Sequence, residues 1–372
     1  MIDLKSSLRI LPVHVINPQL NKEKALHMAE ELETLISTLD SEIPDRIIQK
    51  LDRPNMATYI GKGKIVEVAQ KIIDDEIDVV VLNAMVKPRQ VHALKEQLQK
   101  AKPDIEVWDR VDLILYIFDK HASTQEAKLQ IELARMNYMG PRIYGMGFIM
   151  SRQGGGIGTL GVGETNTELM KRHWRDQKKK IADELAKISK SREQQLDRRK
   201  RAGFKTVSIV GYTNAGKSSL FNLLTNKNVL AKNVLFATLD SSVGKMYLED
   251  LQAEVLVTDT IGFIRDLPPL LISAFKSTLM ESIHADVLLH VIDVSDPEMN
   301  TKIRVVRDIL KELGRNVDEV IYVFNKTDAV PDLNKEEIAE KYGLFSPIFI
   351  SVKKDEGIGK IKECISRQVI KS

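Results

Sequence analysis

Apolar residues in the first third of the chain follow two alternating rhythms. Residues 8–16 form an apolar run of strand length. Residues 22–39 place Leu26, Ala29, Leu32, Leu35 and Ile36 near one face of a helix. A helix over about 63–75, a strand over 79–83, a helix over 89–101 and an extended stretch over 105–109 continue the alternation. An apolar run follows at 111–118, of which 113–118 has strand length. Strands alternating with helices predict a small parallel α/β domain over residues 1–120.

The rhythm then changes. Residues 123–138 have a helical period, with Leu129, Leu133 and Met136 on one face. Residues 139–164 hold Gly140, Pro141, Gly145, Gly147, Gly154, Gly155, Gly156, Gly158, Gly161 and Gly163. That density of glycine disfavours regular structure, and the stretch reads as neither helix nor strand. A second helix over 165–201 carries a narrow stripe of Met170, Trp174, Ile181, Leu185 and Ile188. At its full length it would reach about 50 Å. Two helices joined by a loop predict an antiparallel hairpin over 121–203 with a glycine-rich tip at 139–164. Ala202-Gly203 ends the second helix, and a new α/β unit fills 204–372. The chain has no internal repeat.

Composition narrows the class without naming a function. Of 372 residues, 43% are hydrophobic and 29% charged, a soluble globular balance. A single cysteine, Cys364, cannot form an internal disulfide, which fits a reducing compartment. No apolar run approaches the roughly 18 residues of a membrane span. The N-terminus lacks the apolar core of a signal peptide, so the expected location is the cytoplasm. Net charge is only +3, but its distribution is uneven. Residues 171–201 hold thirteen Lys/Arg against five Asp/Glu, a local excess of +8. Such a stretch is either a solvated face or a surface for phosphates. The adjoining loop, with Arg142, Tyr144, Phe148, Arg152 and Gln153 among its glycines, is either a flexible linker or a tip for RNA, where an aromatic can stack on a base.

The chemistry begins at residue 206. Thr206-Val207-Ser208-Ile209-Val210 reads as a buried strand. Gly211-Tyr212-Thr213-Asn214-Ala215-Gly216-Lys217-Ser218 follows, and a helix starts with Ser218 and Ser219. Strand, GxxxxGKS and helix together are the phosphate-binding loop, whose N–H groups and helix N-terminus meet phosphates. Lys217 would reach the β- and γ-phosphates, and the Ser218 hydroxyl would ligate Mg²⁺. Asp259-Thr260-Ile261-Gly262 ends a later strand. There Asp259 would hold the magnesium through water, and the Gly262 N–H would meet the γ-phosphate. Between the two motifs, Phe236-Ala237-Thr238-Leu239-Asp240 supplies Thr238 as a switch threonine. It would ligate Mg²⁺ through its hydroxyl and the γ-phosphate through its N–H. Asn325-Lys326-Thr327-Asp328 ends another strand. Asp328 can accept guanine N1–H and the 2-amino group, a donor pair that adenine lacks. Ser351-Val352-Lys353 would offer a backbone N–H to guanine O6. Lys217, Thr238 and Gly262 are the expected catalytic set, and Ser218 and Thr238 the protein's metal ligands. All of these elements fall at the carboxyl ends of expected parallel strands, where such sheets bind ligands. Many GTPases place a glutamine after DxxG to orient the attacking water. Phe263 stands there instead, which predicts slow hydrolysis until a partner orders the site.

These motifs, with Tyr59-Ile60-Gly61-Lys62-Gly63-Lys64, the run TQEAKLQIELA from Thr124, the run GGGIGTLGVGET from Gly154, FATLD, DTIGFIRDLP and ADVLLHVIDVSDP from Ala285, resemble the HflX GTPases along nearly the whole chain. The resemblance implies an N-terminal α/β domain, a helical hairpin and a C-terminal G domain. It implies GTP-dependent binding, as a monomer, to the large ribosomal subunit, with the tip near the peptidyl-transferase region. Splitting or rescue of stalled ribosomes is the implied role. An apolar residue after DxxG is usual in that family. The chain departs from it at Leu160-Gly161-Val162-Gly163, where an arginine-glycine-proline-glycine stretch is common. It also departs at Met170-Lys171-Arg172, which lacks the usual acid, and at His121, often arginine. Two other readings stay open on the residues alone. One is a regulatory GTPase with a protein partner. The other is an RNA-remodelling NTPase with a second nucleotide site at Gly61-Lys62-Gly63-Lys64, a weak signal that reads more readily as a surface turn before a helix.

Overall fold

A computed structural model describes residues 7–153, 162–227, 242–260, 262–265, 271, 284–342 and 347–371. The chain forms two compact units, Met1–Lys120 with Ile131–Asp183, and His121–Gln130 with Glu184–Ser372.

In the first unit the order is β1 (Ile10–Ile16), α1 (Lys22–Ser37), β2 (Ile47–Lys50), α2 (Lys62–Asp74), β3 (Val79–Leu82), α3 (Pro88–Leu98), β4 (Glu106–Asp109) and α4 (Arg110–His121). The strands form one four-stranded sheet in the order β2-β1-β3-β4, and every pair is parallel. All four residues of β3 are buried, as expected of a strand covered on both faces. One core sets Leu11, Val13, Val80 and Leu82 of the sheet against Ile65, Val68 and Ile72 of α2 and Leu94 of α3. Each such aliphatic side chain contributes about 2 kcal/mol when fully buried. Asn21 caps α1 by accepting from Glu23 N at 3.0 Å, and Pro88 begins α3, where its missing N–H costs nothing. Of Gly61-Lys62-Gly63-Lys64, Gly61 caps α2 and the other three form its first turn. Gly61 N donates to Gln49 Oε1 at 3.0 Å, and Lys64 pairs with Glu67 at 2.6 Å.

The apolar run 111–118 is helix α4, not a strand. A short run that is apolar at all but Asp112 cannot distinguish a buried helix from a buried strand by period. The cap decides it here. Asp109 Oδ1 accepts from both Val111 N and Asp112 N at 3.0 Å, which starts a helix directly after β4. Asp109 Oδ2 also takes Val86 N at 3.1 Å and the Tyr138 hydroxyl. Strand β2 escapes notice in the sequence because only Ile47 of its four residues is buried.

The long helices also run further than their glycines suggest. Helix α5 covers Gln125–Gln153 and α6 covers Val162–Arg201. Much of the stretch read as irregular is therefore helical, including Gly140, Pro141, Gly145 and Gly147. In a helix interior glycine costs about 1 kcal/mol and proline about 3 kcal/mol relative to alanine, penalties that context overrides. Gly154, Gly155, Gly156, Gly158 and Gly161 lie outside the described residues. In the first unit Trp174 Nε1 donates to Met136 O at 3.1 Å. In the second, Arg192 pairs with Glu126 at 2.9 Å. Of the expected stripe, Ile181 is buried and Trp174, Leu185 and Ile188 are half-buried, while the side chain of Met170 lies outside the described ones. Among the described residues no helix is long and apolar enough to cross a membrane.

The second unit adds β5 (Thr206–Gly211), α7 (Lys217–Thr225), β6 (Ser242–Leu248), β7 (Ala253–Asp259), β8 (Val287–Asp293), α8 (Met299–Glu312), β9 (Ile321–Asn325), α9 (Lys335–Lys341), β10 (Ile348–Phe349) and α10 (Ile358–Lys371). Its six strands lie in the order β10-β9-β8-β5-β7-β6. Pairing is parallel except for β6 with β7, a hairpin that the apolar pattern did not announce. Strand period divides the apolar runs between two cores. Val207, Ile209, Leu289, Val291 and Val323 pack with α7 and α10. Val210, Leu288, Ile292, Tyr322 and Phe324 pack with α8. A sheet covered on both faces leaves its strand ends free for chemistry.

His14 makes the first unit acid-sensitive. It is buried on β1, and its Nδ1 lies 3.0 Å from Asn83 Nδ2. Burial first, then Arg46 and Arg110, lower its pKa from 6.5 to about 4. Between those values the unfolded chain takes a proton that the folded chain refuses. The stability is complete above pH 6.5 and is lost as pH falls towards 4. Urea unfolding of the first unit should therefore show stability falling from pH 6.5 to about 5, where ordinary carboxylates stay ionised. His14→Asn should flatten that slope, and an unchanged slope would assign it to other groups.

Candidate nucleotide-binding site

The loop after β5 is shaped by close backbone approaches. Gly211 ends β5 beside β8, and a β-carbon there would lie 2.3 Å from Val291 O. Gly216 has φ +96°, and a β-carbon there would lie 2.2 Å from Asn325 Nδ2. Any side chain at either position would push the loop off its neighbours. Asn214, exposed at the tip, takes φ 64°, and asparagine tolerates that conformation better than most residues. Helix α7 starts at Lys217, so its N-terminus faces the loop's concavity with Ser218 and Ser219 in the first turn. The Lys217 ammonium donates to Tyr212 O at 2.8 Å. Burial lowers its pKa from 10.5 to about 8, and Asp259 pulls it partly back up. An anion beside it would offset the same desolvation.

The DxxG element lies against this loop. Asp259 ends β7, fully buried, and its Oδ2 accepts from Ser218 Oγ at 2.6 Å. Thr260 is also fully buried, and its hydroxyl donates to Ile209 O at 2.7 Å. A β-carbon on Gly262 would meet Thr213 Cγ2 at 2.7 Å and Lys217 Nζ at 2.9 Å, so Gly262 sits directly over the loop lysine. Phe263 then pairs with the loop as a one-residue strand. Its N donates to Gly211 O at 3.1 Å, and its O accepts from Thr213 N at 2.8 Å. Its ring is 1% exposed, packed with Val210, Leu288 and Ile292. The residue after DxxG is a core plug rather than a group facing a reacting water.

A hydroxyl and a carboxylate oxygen 2.6 Å apart at a helix N-terminus suit a hard cation. Magnesium is commonly held by one or two protein oxygens together with phosphates and waters, and Ser218 with Asp259 fits that demand. No cluster of three or more His, Cys, Asp or Glu side chains forms a rival metal site among the described residues.

The base-reading motifs converge from β9 and β10. Asn325 is buried, with Nδ2 donating to Ala215 O at 2.9 Å and Oδ1 accepting from Val352 N at 3.1 Å. One side chain thus ties the phosphate loop to the turn Ser351-Val352-Lys353. Lys326 takes φ 64° and pairs with Asp293 at 2.6 Å. Thr327 donates through N and Oγ1 to Ile350 O at 3.2 and 3.0 Å. Asp328 Oδ1 accepts from the buried Ser351 hydroxyl at 2.6 Å. That bond, ahead of Lys353 and Lys354, holds its carboxyl below the usual carboxylate range. Asp328 is left ionised and acceptor-only, as a reader of two N–H donors must be.

The structure therefore gathers residues 211–219, 259, 260, 262, 325–328 and 351–353 at the carboxyl end of one sheet. Phe236, Ala237, Thr238, Leu239, Asp240 and Ile261 lie outside the described residues. Sequence spacing missed the supports: Asp293 under Lys326, Ser351 under Asp328, and the Tyr212 side chain. Only pairings across separate strands reveal them.

Comparisons with known proteins agree with this geometry. Residues 27–119 match the family model for the GTP-binding GTPase N-terminal region, residues 121–199 the GTP-binding GTPase middle region, and residues 206–326 the 50S ribosome-binding GTPase. The chain is 42% identical over 344 residues to the GTPase HflX of Caldanaerobacter subterraneus subsp. tengcongensis, covering 92% of this chain and 77% of that one. It is 35% identical over 357 residues to the GTPase HflX of Escherichia coli (strain K12), covering 96% and 82%. Among solved structures, a GTP-binding protein from the hyperthermophilic archaeon Sulfolobus solfataricus in complex with GDP is 26% identical, with TM-score 0.51, covering 98% and 99%. A complex of SsGBP with GDP is 27% identical, with TM-score 0.54 over the same shares. With its phosphate loop, DxxG element and guanine motif at one sheet end, this P-loop GTP hydrolase belongs to the HflX family of GTPases.

Proposed function

We propose that this chain is a GTP-driven switch that binds the large ribosomal subunit and splits or rescues stalled ribosomes. The observation that carries the partner is the surface of α6. Lys171, Arg172, Arg175, Lys178, Lys179 and Lys180 are all exposed along less than three turns. Cations spaced this closely neutralise phosphates without reading sequence. The 50S ribosome-binding description of the model matching residues 206–326 supports the same partner. The contacts Trp174 with Met136 and Arg192 with Glu126 follow the order of an antiparallel hairpin, whose tip would enter the subunit.

In the reaction, the N–H groups of Asn214 and of residues 216–218 cradle the α- and β-phosphates, and Lys217 reaches the β- and γ-phosphates. Ser218, Thr238 and, through water, Asp259 would hold Mg²⁺, which supplies charge neutralisation between the β- and γ-phosphates when bound. The N–H groups of Gly262 and Thr238 bind the γ-phosphate. Water attacks the γ-phosphorus, the bond to the β–γ bridging oxygen breaks, and GDP and phosphate result. Loss of the γ-phosphate releases Thr238 and Gly262 and so weakens the docked state. Asp328 accepts from guanine, Lys326 and Thr327 frame it, and the turn Ser351-Val352-Lys353 faces O6. The Phe263 ring is committed to the core and cannot orient the water, so the subunit itself must order the site.

Four outcomes test this reading. Hydrolysis by the isolated protein should be slow and rise by at least about tenfold when purified large subunits are added. Equal rates with and without subunits would refute the ordering role. Co-sedimentation should show GTP-analogue-dependent binding to the large subunit, and binding to neither subunit would favour a protein partner. Changing Lys171, Arg172 and Arg175 together should reduce the slope of log affinity against log salt by about 2–3, and an unchanged slope would return α6 to a solvated face. Asp328→Asn should cut guanine preference by about tenfold or more, since a bidentate charged pair is worth about 1.5–3 kcal/mol. Competition between GTP and xanthosine triphosphate reads it, and undiminished GTP selectivity would remove Asp328 from base reading.

A further inference from the structure

Just after Gly262, Phe263 and Arg265 are both held by hydrogen bonds to the phosphate loop, and the one to Arg265 comes from a side chain, that of Tyr212. The Tyr212 hydroxyl accepts a hydrogen bond from Arg265 N. The Arg265 guanidinium pairs with Glu298 at 2.6 Å, both side chains being largely buried. Glu298 precedes α8, as does Asp296, which pairs with Lys302. Lys302 Nζ in turn stands 4.7 Å over the centre of the Tyr212 ring. Phe263 bridges to Tyr212 by backbone pairing, and its ring and Ile264 are buried. Tyr212 O, from the same residue, accepts the Lys217 ammonium. One residue therefore holds the loop lysine with its carbonyl and the downstream flank of DxxG with its hydroxyl.

We infer that Tyr212 is a positioning residue for γ-phosphate recognition, with Arg265 and Glu298 completing a latch that fixes where Gly262 presents its N–H. Gly262 stands only three residues before Arg265. Its space is bounded by Thr213 Cγ2 and Lys217 Nζ, each under 3 Å from where a β-carbon would sit. With residues 263–265 clamped, the swing of Gly262 is confined to its own dihedrals and those upstream. The latch then sets the distance between the Gly262 N–H and Lys217, the two groups that must close on one phosphate. GDP makes no demand on that distance, whereas GTP and the transition state do. The latch rests on the proposed contact of Gly262 with the γ-phosphate, and not on the ribosome as partner.

Tyr212→Phe removes only the hydroxyl and keeps the ring under Lys302 and the backbone pairing. The expected result is GDP affinity within twofold of the parent, while affinity for a non-hydrolysable GTP analogue and intrinsic kcat each fall about fivefold, the weight of one backbone hydrogen bond. Glu298→Gln should give a loss in the same direction. The double variant should fall short of the product of the two, because both act on one latch. Melting of each variant with GDP present separates this from misfolding, since a merely structural role would weaken GDP and GTP binding alike. Gly262→Ala is the control for the underlying contact. If it leaves the GTP-to-GDP affinity ratio unchanged, the γ-phosphate contact itself is wrong. If it lowers that ratio while Tyr212→Phe does not, only the latch is overturned.

Discussion

The nucleotide end of this molecule depends on how closely three stretches of backbone approach one another. Strand β5 runs between β7 and β8, and its last residue, Gly211, leaves no room for a side chain beside Val291. Gly216 makes the same concession to Asn325, and Gly262 to Thr213 and Lys217. These glycines let main chain stand where side chains would otherwise hold the motifs apart. Main-chain groups at the approach then pair with one another, as Gly211 O and Thr213 N do with Phe263. The cost of glycine, extra freedom in the unfolded chain, is offset by contacts that no larger residue could make.

Buried polar side chains then convert proximity into fixed geometry. Asn325 spans from Ala215 to Val352, so the phosphate loop and the base-reading turn share one support. Ser351 holds Asp328, and Asp293 holds Lys326. Asn325 left buried without its partners would cost about 1–3 kcal/mol, which is why this bridge resists displacement. Phe263 contributes by hydrophobic burial instead. Its ring anchors the end of DxxG in the core, leaving the water-orienting task to groups from outside this segment.

The first unit uses the same logic without the phosphate loop. Its parallel sheet is covered on both faces, and a network of polar groups is set into that interior. Arg110 donates to Asn83 at 2.8 Å and pairs with Glu31 at 2.9 Å, while Asn83 turns its amide to His14 and to Met28 O. A histidine in that setting stays neutral because both burial and the neighbouring guanidinium groups oppose a second positive charge.

Much of this was legible in the sequence, because strand and helix periods and phosphate-loop chemistry are local properties. Thr206 to Ser218 dictates strand, turn and helix by itself. Asn325 to Asp328 names its base by the donors that a carboxylate can accept. The excess charge of residues 171–201 needs only counting. The run 111–118 misled, since periods of 3.6 and 2 look alike when nearly every residue is apolar, and only the Asp109 cap resolves it. Glycine in residues 139–153 misled for a related reason, as propensity is a small energy beside the rest of a 29-residue helix. Which side chains brace the site could not be read at all. Tyr212 with Arg265, Ser351 with Asp328 and Asp293 with Lys326 are separated by 53, 23 and 33 positions in the chain, and nothing in a spacing announces them. The sequence alone determined which atoms could bind a guanine nucleotide. Tertiary structure decided how they are held, because a hydrogen bond between distant residues exists only once the sheet has brought their strands together.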